Sequence, residues 1–75
     1  MKKSYYRLTG RFAHQDVVLR EFFNCSDAQE AVKWSRSYLG NEANTKEHMR
    51  LYGVLVDAIL TYHVEETAEV KRFTL

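Results

Sequence analysis

The chain has 75 residues, of which 45% are hydrophobic and 13% aromatic, and its formal net charge is +1. This length predicts one small domain, residues 1–75, with a core supplied largely by aromatic side chains. The near-zero charge argues against an acidic mimic of nucleic acid and gives no overall basic signal for nucleic-acid binding.

The sequence also predicts where the protein resides. Its apolar runs are too short to span a membrane, and the opening Met-Lys-Lys is not followed by the apolar core of a signal peptide. The single cysteine, Cys25, cannot form an internal disulfide, which fits a reducing compartment. We therefore expect a cytoplasmic protein that does not contact a membrane.

The first 23 residues predict a β-hairpin. Residues 4–12 alternate between two faces, one carrying Tyr6, Leu8, Gly10 and Phe12, and the other carrying Tyr5, Arg7, Thr9 and Arg11. Residues 17–23 predict a second strand whose facing is ambiguous. One side carries Val17, Leu19, Glu21 and Phe23, and the other carries Val18, Arg20 and Phe22. A bulge in this strand would resolve the ambiguity.

The clearest helix signal covers residues 26–39. Ser26 is a favourable N-cap, and Gln29 three residues later completes a capping-box pattern. Small and apolar residues recur at helical spacing on one side: Ala28, Ala31, Val32, Ser35, Tyr38 and Leu39. Trp34 extends this stripe or lies at its rim. Gly40 is expected to end the helix in the left-handed conformation.

Two interpretations of the next segment stay open. In the first, Asn44 and Glu47 begin a second helix that Gly53 closes, and residues 54–64 form a strand. In the second, one helix continues through residue 62, because polar residues fall at helical spacing: Lys46, Arg50, Gly53, Asp57 and Thr61. We prefer the strand, since the long helix would contain a glycine and several β-branched residues.

As a strand, residues 54–64 would present two different faces. The continuous apolar face would carry Val54, Val56, Ala58, Leu60, Tyr62 and Val64, and the other would carry Leu55, Asp57, Ile59, Thr61 and His63. A turn at residues 65–67 and a last strand over residues 69–75 complete the chain. The predicted class is α+β, β-β-α-(α)-β-β, with an antiparallel sheet of strand order 2-1-3-4. One main helix covers one sheet face, and the other face stays open.

Catalytic and metal-binding chemistry is weakly represented. The histidines His14, His48 and His63 have no second ligand at metal spacing, and Cys25 has no CxxC partner. A cysteine just before a helix can be an activated thiolate, and His14 or His63 would then complete a Cys–His pair. A buried, inert cysteine is far more common. We therefore expect no enzyme activity, no cofactor and no small-molecule substrate.

The uncovered sheet face is the predicted binding surface. Its apolar residues favour protein association, either with a partner protein or with a second copy, through Leu55, Ile59, Tyr5 and Arg7. The alternative is single-stranded nucleic acid, bound by aromatic stacking and phosphate contacts along the basic first strand. That surface would consist of Lys2, Lys3, Tyr5, Arg7 and Arg11.

The overall pattern resembles short phage and prophage accessory proteins. The resemblance is carried by a strand pair, a helix beginning S-D-A-Q-E-A, and a following G-V-L-V-D-A-I-L-T-Y stretch, and it covers most of the chain. It implies a non-enzymatic protein that binds a host or viral protein, in some cases as an inhibitor of host defence.

Overall fold

The computed structural model describes residues 4–64 and 69–73. It contains β1 (Ser4–Phe12), β2 (Asp16–Phe22), α1 (Ala28–Gly40), α2 (Glu42–Tyr52), β3 (Leu55–Val64) and β4 (Glu69–Phe73). The four strands form one antiparallel sheet in the order β2-β1-β3-β4. The predicted α+β class, element order and strand order are confirmed, and residues 55–64 are a strand. The turn predicted at residues 65–67 and the end predicted at residues 74–75 lie outside the described residues.

The core lies between the sheet and the helices, and β1 is at its centre. Alternation along β1 buries Tyr6, Leu8, Gly10 and Phe12, as the sequence predicts. Leu8 faces Leu60 across the β1–β3 pair, and both are fully buried. Phe22 and Ala31 join them in one cluster, because α1 presents its small residues to the sheet. Within the described ranges, neither helix is long and apolar enough to cross a membrane.

A β-bulge settles the facing of β2. Leu8 pairs with Arg20, but Thr9 pairs with Val18, so Leu19 is an extra residue in β2. The bulge allows Val17 and Phe22 to share the helix side although they are five residues apart. Leu19 packs against the core cluster.

A second bulge in β3 contradicts the predicted facing of its first residues. Arg11 pairs with Asp57, but Phe12 pairs with Leu55, so Val56 is the extra residue. Leu55 therefore lies on the helix side, where its Cδ1 atom would lie 3.1 Å from a Cβ atom at Gly10. Val54 and Val56, predicted for the core, are each 65% exposed. The assignment of Leu55 to the open face was wrong, because strict alternation fails at a bulge.

The capping of α1 is shifted by one residue from the prediction. Asp27, rather than Ser26, is the N-cap, and its carboxylate accepts a hydrogen bond of 2.9 Å from the Glu30 amide. Glu30, rather than Gln29, reaches back, and it accepts hydrogen bonds from the amide and hydroxyl of Ser26. Asp and Ser are both favourable N-caps, so the choice depends on the chain path after β2.

The two helices meet at a single residue. Gly40 is the last residue of α1 rather than a left-handed cap, and Asn41 caps the end of α1 and the start of α2. The start of α2 therefore lies three residues before the predicted Asn44, whose amide donates to the Asn41 side chain. Gly53 closes α2 as predicted, with φ 91° and ψ −153°. That conformation is essentially restricted to glycine, and it turns the chain into β3.

Candidate binding surface on the open sheet face

Both helices pack on the same side of the sheet, which leaves the opposite side open. We call this opposite side the open face. Its side chains come from alternate positions of all four strands and from the residue after β2. They are Tyr5, Arg7, Thr9, Arg11, Asp16, Val18, Glu21, Phe23, Asp57, Ile59, Thr61, His63 and Arg72.

Strand register arranges the open face in four parallel rows. A charged row (Asp16, Arg11, Asp57) is followed by an apolar row (Val18, Thr9, Ile59). A second charged row (Glu21, Arg7, Thr61, Arg72) is followed by an aromatic row (Phe23, Tyr5, His63). Charged and apolar bands therefore alternate across the surface.

The rings of the aromatic row contact one another in series, with Tyr5 and His63 stacked and Phe23 tilted by 34° against Tyr5. The Tyr5 and His63 rings are parallel within 9° at a centroid distance of 5.0 Å, and Phe23 lies 5.4 Å from Tyr5 on its other side. Phe23 is 64% exposed, whereas Tyr5 and His63 are half-buried. Aromatic side chains that are already ordered by their neighbours lose little conformational entropy on binding, which is typical of interface anchors.

Arg7 joins the aromatic row to the second charged row. Its Nε and Nη2 atoms each lie 3.0 Å from Oε2 of Glu21, and Nη2 also donates to the Tyr5 hydroxyl at 3.2 Å. Its guanidinium lies 5.5 Å from the centre of the Tyr5 ring. The Thr61 hydroxyl lies 2.7 Å from Nε2 of His63 and 3.4 Å from the Arg7 carbonyl oxygen. These bonds fix the side chains of two rows in one network.

The charges of the open face cancel. Arg7 pairs with Glu21, and Arg11 pairs with Asp57 at 3.3 Å. With Asp16 and Arg72, residues 4–64 and 69–73 place three arginines and three carboxylates on this face. Phosphate binding draws on unpaired cations, so the pairing of Arg7 and Arg11 disfavours the nucleic-acid alternative at these positions.

The structure brings together some of the predicted site residues and separates others. Tyr5 and Arg7 are in contact, and Ile59 lies one row from Arg7 on the same face. Leu55 lies on the opposite side of the sheet. Arg11 lies at the far end of β1 from Tyr5, and Lys2 and Lys3 are outside the described residues.

Sequence reasoning missed Phe23 and Glu21 as members of this surface. The signal was present, because Glu21 and Phe23 share one side of the second predicted strand. The same side of the predicted strand also carries Val17 and Leu19, and these apolar residues made it resemble the core side. The bulge at Leu19 separates the two groups.

The surroundings of His63, at one end of the aromatic row, favour the neutral form of its imidazole. Desolvation lowers the pKa of His63, the nearby Arg7 guanidinium lowers it further, and Glu21 opposes the shift. A lowered folded-state pKa means that the unfolded chain binds more protons as the pH falls below 6.5, so unfolding is favoured by acid.

We predict that His63 makes the domain less stable as the pH falls from neutral through 6.5. Thermal midpoints measured from pH 7.5 to pH 5.5 should decrease more for the wild type than for His63→Gln. His14→Gln, in the exposed turn after β1, is the control for loss of one imidazole. Parallel decreases for the wild type and His63→Gln would contradict the placement of His63.

The surroundings of Cys25 disfavour the thiolate form that an activated cysteine needs. It packs against the core cluster on the helix side of the sheet, and burial together with the Glu30 and Asp27 carboxylates raises the pKa of its thiol. His63 is on the other side of the sheet, and His14 is in the turn at the other end of β2. The structure therefore does not assemble a Cys–His pair from these residues. No group of three or more metal-binding side chains occurs within residues 4–64 and 69–73.

Comparisons with protein-family models, curated proteins and solved structures find no match for this chain.

Proposed function

We propose that this protein is a non-catalytic protein-binding module whose open face binds a second copy of the chain. The proposal is carried by the aromatic and apolar surface that no helix covers, which consists of Phe23, Tyr5, Val18 and Ile59. Hydrogen bonds already order the neighbouring side chains of Arg7 and Glu21. Val18 and Phe23 are 50% and 64% exposed, and Tyr5 and Ile59 are half-buried, so the free chain keeps apolar surface in contact with water.

Charge supports a second copy as the occupant. Among the described residues, the three arginines and three carboxylates of the open face balance one another, so two identical faces meet without net repulsion. The alternating bands also give each copy both charged and apolar rows, as an isologous interface needs. A partner protein that is attracted electrostatically would instead bind best to a face whose charges are mostly of one sign.

The size of the open face supports a weak dimer. Strands about 4.8 Å apart and rising about 3.3 Å per residue give this four-stranded sheet a face of roughly 500 Å². A standard interface buries about 800 Å² per partner. The expected association is therefore reversible and dependent on concentration.

Sedimentation velocity over a concentration series tests this proposal. We expect the wild type to shift from monomer to dimer, and Ile59→Glu to stay monomeric, because a carboxylate would be buried in the apolar row. Leu51→Glu is the matched control, since Leu51 is a half-exposed residue on α2, in the layer away from the open face.

Two outcomes would contradict the proposal. A wild type that stays monomeric at every concentration would remove the second copy as occupant. A dimer that survives Ile59→Glu with unchanged affinity would place the interface elsewhere. Salt-dependent binding of a single-stranded oligonucleotide, lost in Arg7→Ala, would favour the nucleic-acid alternative instead.

A further inference from the structure

A groove lies at the C-terminal end of the outer edge of β2, away from the centre of the open face. It has a volume of about 430 Å³, within the usual range for binding pockets. One wall consists of five consecutive residues, 20–24, and the other comes from Trp34, Ser37 and Tyr38 on α1. Residues 20–22 are the end of β2, and residues 23 and 24 follow it, so the groove lies where the β2 edge ends.

The backbone of β2 is available at this edge, apart from the Leu19 carbonyl, which accepts a hydrogen bond of 3.5 Å from the Tyr38 hydroxyl. β2 is the first strand in the sheet order, and among the described residues it pairs with β1 alone. An edge strand presents unpaired N–H and C=O groups that can bond an extended segment of another chain. Side chains of such a segment would alternate between the groove and the open side.

Aromatic side chains give the groove its apolar character. Phe22 and Trp34 meet edge to face at a centroid distance of 5.8 Å, and Trp34 keeps 38% of its surface exposed. Phe23 lies at the end of the edge and is more exposed still. An aromatic or aliphatic side chain of an added strand would pack against the exposed part of Trp34.

The charge of the groove selects the partner. The Arg20 guanidinium lies 6.0 Å from the Phe22 ring centre and 5.8 Å from that of Tyr38, and it forms no ion pair with any described residue. The carboxylate in the lining, Glu21, is paired with Arg7. The accessible charge is therefore positive.

We propose that the β2 edge binds an extended acidic segment of a partner protein by strand addition. In this arrangement the segment pairs with β2, places an apolar side chain against Trp34 and Phe22, and places a carboxylate beside Arg20. The groove shares Glu21 and Phe23 with the open face but does not include Ile59. A monomeric Ile59→Glu variant is therefore expected to bind the same segment.

Fluorescence of Trp34 measures this binding directly, because the chain has one tryptophan. The probe is a synthetic octapeptide, Phe-Thr-Glu-Thr-Phe-Thr-Glu-Thr, whose phenylalanine and glutamate side chains all lie on one side of the strand, as Arg20 and Phe22 do in β2. Its counterpart has lysine for glutamate. We expect a saturable change with the acidic peptide and none with the lysine peptide. Arg20→Glu should weaken binding about tenfold or more, as for an interface anchor. Arg36→Glu, with the same charge change on α1 outside the groove lining, should bind like the wild type.

Backbone pairing is tested without changing the protein. An antiparallel strand bonds its neighbour through alternate residues, so N-methylation of one set of alternate peptide amides should abolish binding and methylation of the other set should not. The proposal is overturned if neither peptide binds, if both bind equally, or if Arg36→Glu matches the loss in Arg20→Glu. Equal binding of the two methylated peptides would overturn strand addition.

Discussion

Replacing Leu60 by alanine should lower the free energy of unfolding by about 2–5 kcal/mol, the largest single-residue effect expected in this domain. Leu60 is fully buried and pairs with Leu8, which is also fully buried, at the middle of the sheet. A chain of this size has a total stability of only about 4–11 kcal/mol. Urea denaturation followed by circular dichroism measures the loss, and the thermal midpoint should fall by roughly 10 °C or more.

Val56→Ala is the matched control for Leu60→Ala. It truncates another aliphatic residue of β3, but Val56 is the bulge residue and is mostly exposed. We expect it to change stability by about 0.5 kcal/mol or less. Similar losses for the two variants would mean that the core does not lie on the Leu60 side of β3.

Replacing Gly10 by valine should destabilise the domain by about 1–3 kcal/mol, although valine is the better strand former. A Cβ atom at Gly10 would lie 2.9 Å from Cδ1 of Leu19 and 3.1 Å from Cδ1 of Leu55. Both leucines reach this position because of the bulges that place them on the helix side. The same urea titration measures the effect.

Two comparisons make the Gly10 result specific. Thr9→Val, on the open face next to Gly10, adds no group to the core and should leave stability nearly unchanged. The double variant Gly10→Val, Leu19→Ala should recover part of the loss, because it removes the nearest obstructing side chain. A stable Gly10→Val protein would contradict the packing of Leu19 and Leu55 over this glycine.

The sequence predicted the parts of the fold that depend on uninterrupted periodicity. β1 alternates without a break, so its buried and open sides were assigned correctly from the residues alone. The apolar stripe of α1 was also correct, with Ala31 and Ser35 buried. The choice between strand and long helix for residues 55–64 was correct because Gly53 adopts a backbone conformation that breaks a helix.

The errors occurred where a bulge or a cap depends on tertiary register. The extra residues Leu19 and Val56 exist because β1 must pair with β2 and β3 at once, and that requirement is not local. A bulge in β2 was considered, but none was considered in β3. The bulge in β3 places Leu55 on the core side of the sheet. Ser26 and Asp27 are both good caps, and only the path of the chain chooses between them.

The open face was predicted as a location, but its internal organisation was not. Tyr5, Arg7 and Ile59 were assigned to it from alternation, and they lie there. The ring contacts of Tyr5 with Phe23 and His63 depend on strand neighbours that are distant in sequence. The pairing of Arg7 with Glu21 likewise required the register of β2. This pairing is what turns a basic strand in the sequence into a neutral surface in the fold.

Methyl resonances in a dilution series test most directly whether the open face binds a second copy. As the protein is concentrated, the signals of Ile59, Val18 and Thr9 should shift together, because these side chains form the apolar row. The signals of Leu51 on α2 and of the buried Leu60 should stay in place. Shifts centred on α2, or no concentration dependence in any methyl group, would contradict this account.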